Sequence, residues 1–142
     1  MAITNVIYSI LRGYTPLTDY TGDRIFPLRI QNGTTFPAIS YHLVSNTPSN
    51  TKDMVSSLDF ARVQVSVFSQ DGGGVSGFER ADEVSDKVRD AIELASGILP
   101  LEIAGYKVNQ LWYDGQVQLS DDEAGFAGVY QIALDFIVGY NR

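Results

Sequence analysis

The chain has 142 residues, 44% of them hydrophobic and 19% charged, with a formal net charge of −7 and no cysteine. That length suits one domain, 1–142, able to bury about 68–70% of the surface its unfolded chain exposes, and no apolar run nears the roughly 20 residues of a membrane span. The absence of cysteine excludes disulfides, thiolate nucleophiles and thiolate metal sites, and an acidic chain whose ten basic residues are scattered is a poor match for phosphate-led binding of nucleic acid.

Met1–Asn5 lacks a basic segment, so no signal peptide is expected, and folding in the cytoplasm is the simplest reading. Ile3, Val6, Ile7, Ile10 and Leu11 fall on one stripe at helical period and predict a short helix that Gly13 stops. Tyr14–Leu17 and a turn around Thr21-Gly22-Asp23 follow. Arg24–Leu28 reads as a short extended piece, with Pro27 marking an edge or a strand end.

Gln31–Thr35 is turn chemistry. In the next stretch Ile39, Tyr41 and Leu43 alternate with Ser40 and His42, the period of a half-buried strand. Ser45–Lys52 reads as an exposed polar loop. Ala61, Val63, Val65 and Val67 alternate with Arg62, Gln64 and Ser66 between Phe60 and Phe68, the clearest strand in the chain.

A flexible stretch around Gly72-Gly73-Gly74 leads into a long helix. Ser76 and Glu79 have capping-box spacing. The inner stripe is Phe78, Ala81, Val84, Val88, Ala91, Ile92 and Ala95, with Ile98 at its end, and Gly97 and Pro100 close it. The last third reads as strand Tyr106–Tyr113, a hairpin at Asp114-Gly115, a return Gln116–Leu119, an acidic loop Ser120–Gly125, and a closing strand built on Tyr130, Ile132, Leu134, Phe136 and Val138. The expected fold class is α+β: one mostly antiparallel sheet, with the long helix and the short N-terminal helix packed on one face.

Chemistry-bearing patterns are few. His42 is the single histidine, and without Cys or a second His a zinc site would need carboxylates alone. There is no Gly-x-Ser-x-Gly elbow, and no Gly-Lys-Ser/Thr follows the glycine run. Asp121-Asp122-Glu123 lacks the ligand spacing of an EF-hand loop. No catalytic residue, cofactor or metal is therefore assigned. Tyr106, Trp112, Tyr113 and Tyr130 suit either a sheet core or an interface.

Four features together resemble the tail-completion or tail-terminator proteins of long-tailed bacteriophages. They are the helix Ile3–Leu11 with Gly22-Asp23-Arg24-Ile25-Phe26-Pro27 after it, the entry Phe36-Pro37-Ala38-Ile39-Ser40-Tyr41, the strand Arg62–Phe68, and the helix Ala81–Leu94. The likeness runs from Ile3 to Val138. It implies a structural virion protein of the tail or neck, assembled in the host cytoplasm. It implies further a homo-oligomer, a hexameric ring at the head-proximal end of the tail tube. Such a ring ends tube polymerisation and joins the tail to the head–tail connector protein, and DNA passes through it without specific binding. No membrane and no chemical step are implied.

In a ring the contacts are heterologous, one face meeting a different face of the next copy. Arg80, Glu83, Lys87 and Arg89 on the outer face of the long helix are the subunit-interface candidates. The plainer alternative is a solvated face with Glu83–Lys87 as an i,i+4 pair. Asn46, Thr47, Ser49, Asn50, Lys52 and Asp53 in one loop, and Asp121, Asp122 and Glu123 in the other, are candidates for docking on the tail tube protein or connector. Another neck or tail-tube subunit is the nearest competing reading, and a small ligand-binding or enzymatic domain is the remote one.

Overall fold

In the computed structural model, which describes residues 2–31, 33–48, 58–72, 76–119 and 129–141, the alternating valine run lies near the middle of a six-stranded sheet. The elements in chain order are α1 (Thr4–Arg12), α2 (Thr15–Thr21), β1 (Ile25–Pro27), β2 (Ala38–Pro48), β3 (Leu58–Gln70), α3 (Gly77–Ser96), β4 (Leu101–Ile103), β5 (Tyr106–Leu119) and β6 (Val129–Asn141). The sheet order is β1-β2-β3-β6-β5-β4. All neighbours are antiparallel except β1, which runs parallel to β2. This is the expected α+β class.

The described helices cover one face. Val63, Val65 and Val67 of β3 and Ile132, Leu134 and Phe136 of β6 point into the core, all fully buried. Ala81, Val84, Val88 and Ile92 meet them from α3, and Val6, Ile7 and Leu11 from α1. The small Ala and Val side chains along α3 let the helix approach the sheet closely. Each fully buried Val, Leu or Ile contributes about 1.5–3 kcal/mol relative to exposure. Tyr8 on α1 packs against Tyr41 of β2, with ring centroids 5.8 Å apart.

Five local readings are corrected. Thr15–Thr21 is a second helix with Pro16 in its first turn, where a missing N–H costs nothing. β2 continues through Ser45–Pro48, so this polar stretch is strand and not loop. It is held by pairing with Arg62, Ala61, Phe60 and Asp59 across a bulge between Leu43 and Ser45.

The expected hairpin at Asp114-Gly115 does not form. Both would-be arms pair with β6 instead of each other, and β5 runs unbroken with a bulge between Tyr113 and Gly115. Gly115 sits at φ 145, a conformation open to glycine at little cost, so the same residue that suggested a turn relaxes a bulge. The hairpin in this part of the chain lies earlier. It joins β4 to β5 through Ala104 and Gly105, both at positive φ.

The capping box at the start of α3 is also replaced. Ser76 makes no side-chain capping bond, and the Gly77 N–H donates to Asp71 Oδ1 at 2.6 Å. Finally, Phe78 and Ile98, read as the two ends of the inner stripe, are both exposed. Ile98 lies beyond the end of the helix, and Phe78 packs edge-on against Tyr130, centroids 6.5 Å apart.

Candidate assembly surfaces

The helix-free face of the sheet carries a polar network on a half-apolar background. Arg62 of β3 reaches Asp114 of β5 at 2.6 Å and Asp135 of β6 at 3.3 Å. Gln64 donates to the other oxygen of Asp135 at 3.2 Å, and Gln131 donates to Ser66 Oγ at 3.1 Å. The hydrogen bond to Asp114 is the largest cause raising the pKa of Arg62, with both carboxylates adding to it and partial desolvation opposing. The bulge before Gly115 supplies Asp114 as the extra residue, which brings its carboxylate to Arg62. Phe60 and Trp112 meet edge-to-face beside this network, centroids 6.2 Å apart.

His42 lies on the same face. It lines a hollow of about 460 Å³ together with Leu28, Arg29, Ser40, Gln64 and Gln131. Among the described residues no group of three or more His, Asp or Glu is placed to hold a metal ion.

The interface candidates on α3 are partly engaged within the chain. Arg89 Nε donates to Glu93 at 2.8 Å while the guanidinium lies 4.2 Å from the centre of the Tyr113 ring. Arg89 thereby ties the helix to β5. Glu83 accepts a hydrogen bond from the Tyr20 hydroxyl at 3.4 Å. Among the described residues the i,i+4 ion pair on α3 is thus Arg89–Glu93 and not Glu83–Lys87. Lys87 is half-buried, as is Arg80, which borders a hollow with Thr34 and Asp71.

The docking candidates divide. Asn46 and Thr47 belong to β2, and Asn46 is held on both sides: its Nδ2 donates to Asp59 Oδ2 at 3.0 Å, and its Oδ1 accepts from the Tyr140 hydroxyl at 2.9 Å. Burial is the first cause raising the pKa of Tyr140, and the Asp59 charge is the second. Ser49, Asn50, Lys52, Asp53, Asp121, Asp122 and Glu123 lie outside the described residues.

The four aromatic candidates split between core and surface. Tyr106 packs on Tyr140 and Tyr113 on Phe136, while Tyr130 covers the start of α3 against Phe78. Trp112 remains exposed on the helix-free face.

One surface escaped the sequence reading. Leu94 and Ile98 at the end of α3, 64% and 63% exposed, form an apolar groove with Ile10, Tyr14, Leu101 and Ile103. Only the docking of α1 against the end of α3 brings these residues together. The available signal was Leu94, an apolar residue off the inner stripe of an otherwise charged outer face.

These features define the class of protein as a one-sided α+β fold, a sheet with its described helices on one face and polar and apolar patches exposed. A chain described as "Virion of native gene transfer agent (GTA) particle" shares the fold, with a TM-score of 0.70 over 99% of this chain and 96% of that chain, at 16% identity. No curated protein matches the sequence. Residues 5–141 match the family described as Tail completion protein gp17, and the chain belongs to that family. It is a structural protein of a bacteriophage tail, located in the tail or neck of the virion.

Proposed function

We propose that the protein forms a ring, hexameric by the family resemblance, on the head-proximal end of the tail tube, where it ends tube polymerisation and joins the tail to the head–tail connector. The observation that carries this reading is the family match, which spans residues 5–141 and so takes in every described strand and, but for Thr4, the described helices. The mechanism is complementary surfaces and mass action. A tube end capped by a ring offers the next tube subunit no copy of its own face, so growth stops without a chemical step. The connector then meets the opposite side of the ring.

DNA passes through the central hole. A net charge of −7 per copy supports passage over retention, because tight duplex binding draws on clustered Lys and Arg. Arg80, Glu83, Lys87 and Arg89 of α3, with Asn46, Thr47 and the segments around residues 49–53 and 121–123, remain candidates for subunit, tube and connector contacts.

Negative-stain imaging of the purified protein, alone and mixed with tail tubes, tests the proposal together with mass determination in solution. Rings with a central hole, or caps on tube ends, are the expected result. A strict monomer that ignores tubes overturns it, and incorporation along the whole tube identifies a tube subunit instead.

A further inference from the structure

The sheet has two edges, and each is covered at only one end. On one side β4 pairs with Tyr106–Val108 and stops, which leaves Asn109–Leu119 of β5 without an outer partner among the described residues. On the other side β1 pairs with Ile39–Tyr41 of β2, which leaves His42–Pro48 without one.

Unpaired strand edges invite association, and proteins that must stay apart blunt them with charge, proline or short strands. These edges carry short strands, β1 and β4, and a proline in each of β1 and β2, but little charge along their unpaired stretches. Between Asn109 and Leu119 the single charged residue is Asp114, turned to Arg62, and between His42 and Pro48 no residue carries a formal charge. Of nine large apolar side chains exposed among the described residues, six lie on or beside the edges: Leu28, Leu43, Val44, Leu101, Trp112 and Val117.

The two edges also complement one another. Phe26, Ser40, Ser66, Ala133 and Val117 form one continuous row across the sheet, with β1 at one end and the free part of β5 at the other. Pro48, Asp59, Tyr140, Val108 and Leu101 form a second row, with the free end of β2 at one side and β4 at the other. Where one edge steps out, the other steps back. Through the successive antiparallel pairings β5 runs opposite to β2 and β1, so two copies set side by side in the same orientation bring β5 of one against β1 of the next as antiparallel strands, while β4, opposite to β5, runs parallel to the next copy's β2. The joint then makes contact at both ends, β1 on the Val117 row and Leu101 on the Pro48 row.

We infer that the subunit interface is edge-to-edge sheet extension, the free β5 edge of one copy meeting β1 of the next, with Leu101 of β4 coming beside Pro48 of its neighbour's β2. The contact is heterologous and repeats around a ring. Backbone hydrogen bonds give it strength, and the exposed apolar side chains along both edges give it register. This rests on the ring proposed above and names the surface that closes it.

Because the chain has no cysteine, the contact can be trapped. The double variant Val117→Cys with Phe26→Cys is oxidised mildly, with tail tubes present where the free protein does not assemble. It is expected to give a ladder of covalent multimers on non-reducing gels, whereas mixed single variants give dimers only. Val117→Cys with Leu28→Cys covers a register shifted by two residues. Val117→Lys changes a side chain that is 60% exposed, so the fold survives. It is expected to abolish the multimer while the circular dichroism and melting temperature of the single copy stay as they are. Rings that persist in Val117→Lys, with no ladder from either double variant, overturn this interface and leave the ring standing. A chain that stays monomeric with tubes present overturns both.

Discussion

Tyr140 and Asn46 lie 94 residues apart in the chain and are joined by a 2.9 Å hydrogen bond at one end of the sheet. The same Asn46 donates to Asp59, so one side chain on β2 clasps β3 and β6 together. A residue that looks like loop polarity in the sequence is a structural tie.

Replacing it tests the tie. Asn46→Ala leaves the Tyr140 hydroxyl and the Asp59 carboxylate without this bridge. A neutral hydrogen bond is worth about 0.5–1.5 kcal/mol net and one to a charged group about 1.5–3, so a loss of about 1–3 kcal/mol is expected. Urea denaturation of both proteins reads it. No change in midpoint would place Asn46 back among purely external contacts.

Alkaline pH acts on Tyr140 and on Tyr41. Burial raises the Tyr140 and Tyr41 pKa values above 10.0, with the Asp59 charge next for Tyr140 and Tyr8 next for Tyr41. A raised folded pKa contributes stability that is fully present below the unfolded value and is lost as pH rises through the folded one. Stability is therefore expected to hold up to about pH 10.0 on account of these groups and to decline above it. Ultraviolet titration of tyrosinate, followed alongside unfolding, should show two late-titrating residues whose ionisation accompanies the loss.

Gly77 begins α3 where no side chain fits. A Cβ there would stand 2.8 Å from Asp71 N and Gln70 C and 2.9 Å from Tyr130 Cδ2. Two of these are backbone atoms that cannot swing away. Gly77→Ala is expected to destabilise by about 1–3 kcal/mol through overpacking, although alanine is the better helix former. An unchanged or raised melting temperature would show that the Asp71 cap yields easily.

Phe136 is fully buried against Tyr113 beneath α3, ring centroids 5.8 Å apart. Phe136→Ala should cost about 3–5 kcal/mol from lost burial and the cavity left behind. Against a total stability of about 5–15 kcal/mol, that threatens the fold at moderate temperature. Thermal unfolding by circular dichroism provides the measurement. Trp112→Ala on the exposed face serves as the control and is expected to change stability far less.

Where one face of an element is buried, the sequence shows it. The valines of β3, the alternation of β6 and the Ala/Val stripe of α3 each record a single neighbour, the shared core, in their own periodicity. Two of these segments, the β3 strand and the α3 helix, also carried the likeness to the tail-completion family. What failed were readings that depended on which strand lies alongside. Asp114-Gly115 is hairpin chemistry in isolation, yet β6 is long enough to pair with both of its flanks and turns it into a bulge. Ser45–Pro48 has no hydrophobic pattern at all, and becomes strand because β3 continues beside it.

The candidate surfaces divide along the same line. The charged outer face of α3 was legible as a face, but Arg89 over Tyr113 and Glu83 beneath Tyr20 required the packing of β5 and α2. The apolar groove at Leu94 and Ile98 required α1. By itself the sequence determined the fold class and most of the core-facing residues, because burial leaves a periodic mark along one chain segment. Only the tertiary structure decided the order of the strands and the complementary step between the two sheet edges, because pairing is a relation between segments far apart and leaves no mark in either one alone.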